Sequence, residues 1–378
     1  MTCRRSAPMI SRVDPARGRL GEARSLTMYP DFLVIGAQKA GTTWLHRNLQ
    51  AHPGIWMPKR EVHYFDRKIK DDSFDDGWYA SLFEPAEEGK TVGEYTPSYS
   101  VIDRDMVAHV HELMPEAKIV LMMRNPIERA WSQAVMMRSK KKEEEAQNVL
   151  EQKPPKRPFR RFYNRFGRVP FQKLLALVAR MPEEAPLRRF GKVVYGRLFV
   201  VFRGLNKLSR GRLNKRFGRE KSLLRTNYLR TLDNWGTYYP PEQIFVGFLE
   251  DVHFRPETFL RDVYGFLNVD PAFRPPKMNE KINSRSTDEM PTQVASSLAR
   301  TYEDSSRLLE QRFGGYASFW RYCTERLIEN PPAGESVTYP LWDSTLREDW
   351  LESPEGDPEM FGGGRLHSGP LSSIQSPR

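Results

Sequence analysis

The sequence predicts an α/β fold with a central, mainly parallel sheet, because short apolar runs alternate with helical patterns along the chain. The apolar runs are as long as strands and hydrophobic at consecutive positions, which is typical of strands covered on both faces. They span residues 32–35, 119–123 and 244–248, with a weaker candidate at 91–95. Helical patterns span residues 42–51, 126–139, 257–267 and 294–313. Ligands in such folds bind at the carboxyl ends of the strands, so the residues after each run are the first candidates for a site.

The first apolar run leads into a glycine-bearing turn, IGAQKAGTTW, that predicts a phosphate-binding loop. A strand, a turn and a helix start in this order present backbone N–H groups and the positive end of a helix dipole to an anion. Gly36 and Gly41 have the spacing of the triphosphate motif G-x-x-x-x-G-K-[ST], and Thr43 takes its last position. Thr42, however, stands where that motif has its lysine, and the lysine lies inside the loop as Lys39. This displacement favours a phosphate ligand other than a Mg²⁺-bound triphosphate, with a purely structural turn as the alternative.

A second anion site is predicted where the run 119–123 ends. Arg124 follows this run directly, and Asn125 and Pro126 are typical of the N-cap and the first residue of a helix. Ser132 lies about two helical turns beyond Arg124, so both side chains can approach one ligand. A guanidinium group with a nearby hydroxyl group binds a dianion well. The alternative is an arginine that forms only a surface ion pair.

The positive charge of the chain is concentrated in one segment. The 378 residues carry a net charge of +11, but residues 138–222 hold 25 lysines and arginines against 7 aspartates and glutamates, a local excess of +18. Such a basic insert normally faces a polyanion or an anionic membrane surface, and its mixture of apolar and basic residues allows a basic amphipathic helix on that surface. A solvated insert, or an ordinary helix packed on the protein, would have the same composition. We expect no nucleic-acid partner.

The two ends of the chain predict less regular structure. Residues 1–30 form a basic leader that is expected to be disordered, since it lacks the apolar block of a secretory signal; a transit peptide is the alternative. Residues 322–378 are expected to form a partly disordered C-terminal extension, rich in Pro, Gly and Ser after about Gly334. No run approaches the roughly 18 apolar residues of a membrane span, and the 2 cysteines do not suggest a disulfide framework. A cytoplasmic protein, at most peripheral at a membrane, is therefore expected.

Together the two anion-binding elements resemble those of the sulfotransferases that use 3′-phosphoadenylyl sulfate. QKAGTTW resembles the 5′-phosphosulfate loop of that family, and RNPIERAWS resembles its 3′-phosphate motif. The resemblance continues from Lys59 to Asp66, where KREVHYFD is similar to a segment of glycan sulfotransferases, and it ends near Trp320. It implies a P-loop-like three-layer fold, with helices on both sides of the sheet, in residues 31–321.

The resemblance implies a donor with two separated anionic ends and assigns residues to each. Lys39 would stabilise the charge that develops on the departing 5′-phosphate. Arg124 and Ser132 would hold the 3′-phosphate that distinguishes this donor from ATP, and Arg285 would lie over the same group. The other expected donor-binding residues are Ala40, Gly41, Thr42, Thr43 and, against the adenine, Trp44. No metal ion is required, because a sulfuryl group carries less charge than a terminal phosphoryl group.

The acceptor implied by the resemblance is a hydroxyl group of a carbohydrate or a glycolipid, which attacks sulfur in line. In the related glycan enzymes the residue that matches Glu61 is the general base, and His63 is the competing candidate. This chain departs from the heparan-type enzymes at Tyr95, where those enzymes often have a catalytic lysine. A tyrosine lacks the charge of that lysine, which argues against a heparan-type substrate and mechanism.

Two other functions remain open at this point. A P-loop kinase or NTPase would need a lysine directly before Thr43 and a Mg²⁺-binding aspartate after a strand. A non-catalytic basic adaptor would bind a membrane or nucleic acid through the insert, but it would leave the combination of Lys39, Glu61, Arg124 and Ser132 without a purpose.

Overall fold

The structure, a computed structural model, describes residues 28–69, 71, 75–137, 220–280, 289–361 and 367–374. Its strands are β1 (Phe32–Gly36), β2 (Ile55–Trp56), β3 (Thr91–Tyr95), β4 (Lys118–Met123), β5 (Ile244–Phe248), β6 (Glu289–Pro291), β7 (Ser336–Thr338) and β8 (Gly369–Pro370). Within the described residues the main sheet has 6 strands in the order β2–β3–β1–β4–β5–β8, and β6 pairs with β7 separately. Neighbours in the main sheet are parallel, except that β8 runs antiparallel to β5.

The main sheet confirms the predicted α/β class. β1 lies between β3 and β4, with Val34 opposite both Tyr95 and Val120. All of β1 is buried, as expected of a strand that is covered on both faces. Because β1, β3, β4 and β5 are parallel, their carboxyl ends meet at one edge of the sheet, where the loops that follow them begin.

Helices connect the strands and flank the sheet. They are α1 (Thr42–Ala51), α2 (Phe65–Lys68), α3 (Asp76–Ser81), α4 (Arg104–Leu113), α5 (126–137), α6 (Glu220–Leu224), α7 (Tyr228–Gly236), α8 (Leu249–Phe254), α9 (Pro256–Phe266), α10 (Thr292–Phe313), α11 (Tyr316–Glu329) and α12 (Thr345–Leu351). The helices predicted at 42–51, 257–267 and 294–313 are confirmed, the last two with shifted starts. At the start of α5 the Asn125 side chain accepts the backbone N–H of Ile127 at 3.0 Å, which is the predicted N-cap.

Described residues after position 321 include buried side chains. α11 runs through this position, and its Cys323 is fully buried. Trp342 and Trp350, in the predicted extension, are 4% and 0% exposed. A few large aromatic side chains are enough to bury parts of a segment that is otherwise rich in Pro and Gly, and the domain bounds expected from the sequence stay a prediction.

One buried carboxylate fastens the end of the chain to the main sheet. Asp251, in α8, accepts the backbone N–H groups of His367 and Ser368 at 3.1 and 2.8 Å, and also the Ser368 hydroxyl at 2.6 Å. These bonds set the position from which β8 pairs with β5.

The basic insert lies outside the described residues up to residue 219, and so do residues 1–27 of the leader. The predictions for these segments therefore stay predictions. In the part of the chain that the structure does describe, no helix is both long enough and apolar enough to cross a bilayer.

Candidate active site

The predicted phosphate loop is the turn between β1 and α1. It begins at Gly36 with a φ of 147° and ends at Gly41 with a φ of 91°, values at which a side chain would strain the backbone. Space also requires glycine, since a Cβ atom at Gly36 would lie 2.8 Å from the Pro97 carbonyl oxygen. Ala37 donates its N–H to the Met122 carbonyl oxygen at 2.8 Å, which ties the loop to β4. The loop is thus a fixed cradle at the start of α1, where the first N–H groups of the helix and its dipole favour an anion.

The loop is in direct contact with the second predicted anion site. Arg124 donates from Nη1 to the Lys39 carbonyl oxygen at 3.3 Å. Lys39 has a φ of 74° and His63 a φ of 58°, and with Asn268 they are the non-glycine residues of positive φ in the described part of the chain. Backbone strain of this kind concentrates at functional sites. Both of these candidate catalytic residues therefore occupy a backbone conformation that the surrounding fold must enforce.

Arg124 is buried and held in one orientation. Its Nε and Nη2 atoms donate to Glu128 Oε2 at 3.0 and 2.8 Å, and Nη2 also donates to the Tyr339 hydroxyl at 2.5 Å. The Ser132 side chain interacts with the same hydroxyl group. Arg124 and Ser132 are therefore brought together around Tyr339. Sequence reasoning missed this tyrosine, because it lies 215 positions from Arg124, in the segment assigned to the extension.

The candidate base belongs to a chain of polar contacts. Glu61 Oε2 lies 2.8 Å from His63 Nε2, and His63 Nδ1 lies 3.0 Å from Asp66 Oδ2. Ser98 donates to the same Asp66 oxygen at 2.7 Å. Because a carboxylate engages each ring nitrogen of His63, neither nitrogen has a lone pair directed at an incoming hydroxyl group. The geometry favours His63 as the residue that orients Glu61.

Tyr95 links the candidate base to the phosphate loop. Its hydroxyl group donates to Glu61 Oε1 at 3.0 Å and lies 3.4 Å from Thr43 Oγ1. Its ring stacks on His46 with 4.2 Å between centroids. Burial raises the pKa of Tyr95 to about 12, and the charge of Glu61 adds to the rise, so the hydroxyl group keeps its proton near neutral pH. Tyr95 therefore lies between the candidate base and the anion cradle. In the sequence this residue is notable only because heparan-type enzymes often have a lysine there.

A buried carboxylate supports the loop that carries the candidate base. Glu94 is 1% exposed and accepts hydrogen bonds from the Tyr79 hydroxyl at 2.5 Å and from Thr96 Oγ1 at 2.8 Å. Thr96 Oγ1 in turn accepts the backbone N–H groups of Val62 and His63 at 3.1 and 3.3 Å. The sequence showed no signal for this arrangement beyond a glutamate in a strand.

Replacing Glu94 by Gln should change how stability depends on pH. Burial raises the pKa of Glu94 from 4.5 to about 7. Between pH 5 and 7 the folded chain therefore holds a proton that the unfolded chain has released, so the free energy of unfolding falls as the pH rises. The Glu94→Gln variant lacks this decline. From pH 5 to pH 7 its free energy of unfolding should therefore rise by about 2 kcal/mol relative to that of the unchanged chain.

Urea unfolding at pH 5, 6 and 7 measures this difference, with Glu84→Gln, at an exposed position, as the matched control. The control and the unchanged chain should give parallel curves of unfolding free energy against pH. A parallel curve for Glu94→Gln as well would show that Glu94 ionises normally in the folded protein.

Other predicted donor-binding residues are placed less favourably. Trp44 is 7% exposed and donates its indole N–H to the Met278 carbonyl oxygen at 2.9 Å, so its ring belongs to the core and offers no open face to an adenine. Ala40 and Thr42 are buried as well, and the Ala40 backbone N–H already donates to the Ala37 carbonyl oxygen at 3.1 Å, so Ala40 shapes the loop. Arg285 lies outside the described residues.

Parts of this chain are similar in sequence to known proteins. The family described as "Sulfotransferase domain" matches residues 29–313. Heparan sulfate glucosamine 3-O-sulfotransferase 6 of Homo sapiens is 34% identical over 114 residues, which are 30% of this chain and 32% of that protein. Membrane-associated sulfotransferase kil1 of Dictyostelium discoideum is 37% identical over 112 residues, 29% of this chain and 23% of that protein. The chain thus spans about a third or less of the length of these curated relatives.

A solved sulfotransferase from Alicyclobacillus acidocaldarius is 19% identical to this chain, with a TM-score of 0.46, and the match covers 75% of this chain and 94% of that one. The family match itself includes the phosphate loop, the Arg124 element and the segment from Glu61 to Asp66. The chain belongs to the sulfotransferase domain family.

Proposed function

We propose that the chain transfers a sulfuryl group from 3′-phosphoadenylyl sulfate to a hydroxyl group of a carbohydrate or a glycolipid. The observation that carries this proposal is the 3.3 Å contact between Arg124 Nη1 and the Lys39 carbonyl oxygen, because it joins the anion cradle to a second cationic site. A nucleotide with separate 5′ and 3′ anionic groups matches two adjacent anion sites. ATP carries its charge on the 5′ side alone and would leave the second site without a partner.

The donor would be held at both of its ends by residues that fit those groups. The N–H groups at the start of α1, with Thr43, would bind the 5′-phosphate, and Arg124 with Ser132 would bind the 3′-phosphate. Lys39 belongs to the loop and would neutralise the charge on the 5′-phosphate as its bond to sulfur breaks. Arg285 is a further proposed 3′-phosphate ligand.

Glu61 would act as the general base. It would accept the proton of the acceptor hydroxyl group while the oxygen of that group forms its bond to sulfur, and the bond from sulfur to the 5′-phosphate oxygen breaks. The Glu61 side chain is 36% exposed, so an acceptor can reach it, and its contacts with His63 and Tyr95 fix its direction. His63 would orient the base.

The acceptor class is supported by the glycan named in the curated relatives and by the segment from Lys59 to Asp66. Tyr95 offers a neutral donor where heparan-type enzymes often have a lysine, so we propose an acceptor with less negative charge than heparan sulfate. A glycolipid would suit the basic insert 138–222, which could hold the enzyme at an anionic membrane surface, with the cytoplasm as the proposed location.

Titration calorimetry with adenosine 3′,5′-bisphosphate and 5′-AMP tests the proposed donor. The bisphosphate should bind at least tenfold more tightly, because one additional charge-assisted contact contributes about 1.5 kcal/mol or more. Equal affinities would contradict the proposal.

The same titration with and without EDTA tests the expectation that no metal takes part. Among the described residues, no 3 or more His, Cys, Asp or Glu side chains are grouped as a metal site would need. Tighter binding of Mg-ATP than of the bisphosphate would favour the kinase or NTPase alternative.

A further inference from the structure

We infer that Tyr339 is an additional ligand of the 3′-phosphate, supplied by the C-terminal part of the chain. The inference rests on the proposed function, since it names a new member of the same donor site. Tyr339 follows β7 and lies outside residues 29–313, which match the family. Nothing in the motif that contains Arg124 and Ser132 indicates that a tyrosine from the C-terminal part of the chain joins them.

Three hydrogen-bonding groups meet at this point. The Tyr339 hydroxyl accepts a hydrogen bond from Arg124 Nη2 at 2.5 Å and interacts with the Ser132 side chain. The Arg124 guanidinium carbon lies 5.2 Å from the centroid of the Tyr339 ring. The contacts above use four of the five N–H donors of Arg124, and the fifth lies on Nη1. The two hydroxyl groups can rotate, so all three side chains can donate to one phosphate, which accepts several hydrogen bonds at once.

The position of Tyr339 is set by its neighbours on both sides. On the N-terminal side, Thr338 pairs with Glu289 in the small sheet of β6 and β7. On the C-terminal side, the backbone N–H of Leu341 donates to Glu128 Oε1 at 2.7 Å. Glu128 uses its other oxygen to hold Arg124, so one buried carboxylate aligns the arginine and the tyrosine segment together.

The chemistry of the hydroxyl group suits an anion. Burial raises the pKa of Tyr339, although the charge of Arg124 acts in the opposite direction, so the hydroxyl group keeps a proton to donate at neutral pH. The ring is half-buried, which leaves part of the side chain accessible from solvent.

The test compares adenosine 3′,5′-bisphosphate with 5′-AMP by titration calorimetry on the full-length chain and on Tyr339→Phe. This substitution removes one oxygen atom and keeps the ring against Arg124. Affinity for the bisphosphate should fall about tenfold, while affinity for 5′-AMP, which has no 3′-phosphate, should stay the same. Ser132→Ala should behave like Tyr339→Phe, and Tyr322→Phe, in α11 away from the site, should change neither affinity.

Three results for Tyr339→Phe would overturn the inference. Unchanged affinity for the bisphosphate would show that the tyrosine does not contact the ligand. Tighter binding would show that it blocks the phosphate site, and an equal loss for both nucleotides would show a general structural effect. If the unchanged chain itself fails to prefer the bisphosphate, the proposed function falls and this inference with it, so the two failures are distinguishable.

Discussion

Replacing Glu61 by Gln should lower kcat by about 10²- to 10⁴-fold, which is the usual contribution of a general base. Glutamine keeps the size of the side chain and can still contact His63 and Tyr95, but its amide oxygen is far too weak a base to accept the acceptor proton. The bisphosphate product should bind as before, because the contacts of Glu61 are with His63 and Tyr95 and not with the residues of the two anion sites. The measurement is release of adenosine 3′,5′-bisphosphate from the sulfuryl donor, with a panel of glycan, glycolipid and phenolic acceptors.

Two further variants separate the candidate bases. Glu84→Gln changes an exposed glutamate outside the site and should leave kcat unchanged. His63→Asn should reduce kcat less than Glu61→Gln does, because it removes only the group that orients the base. If Glu61→Gln keeps nearly full activity while His63→Asn loses it, His63 is the base and our assignment is wrong.

Replacing Lys39 by Met should lower kcat by about 10²- to 10³-fold, the range found when one preorganised group that stabilises transition-state charge is removed. Methionine keeps the length and much of the volume of lysine but carries no charge to oppose the developing charge on the 5′-phosphate. Binding of the bisphosphate should weaken much less than kcat falls, since the charge on the leaving group is greatest in the transition state.

Lys39→Arg and Lys277→Met complete this comparison. Arginine restores the charge in a different shape and should recover part of the activity. Lys277 has a side chain that is 76% exposed, so its replacement should leave kcat unchanged. An equal loss in kcat/KM for Lys39→Met and Lys39→Arg, with kcat unaffected in both, would mean that Lys39 only binds the nucleotide.

Much of the fold could be predicted because its signals are local. The run that became β1 is apolar at consecutive positions, and the residues around Asn125 and Pro126 stop a strand and start a helix within a few positions. Trp44 shows where such reasoning fails. An aromatic residue at a helix start has the same sequence signal whether it faces a ligand or the core, and only packing decided that its indole is buried.

The sequence by itself determined the strand, turn and helix order of the anion cradle and the positions of Lys39, Glu61 and Arg124, because each depends on residues close in the chain. Only the tertiary structure decided that Tyr95 lies between Glu61 and Thr43, and that Tyr339 reaches Arg124 across 215 positions. The physical reason is that such contacts depend on how buried segments pack against one another, and no local periodicity records which distant side chains share a space.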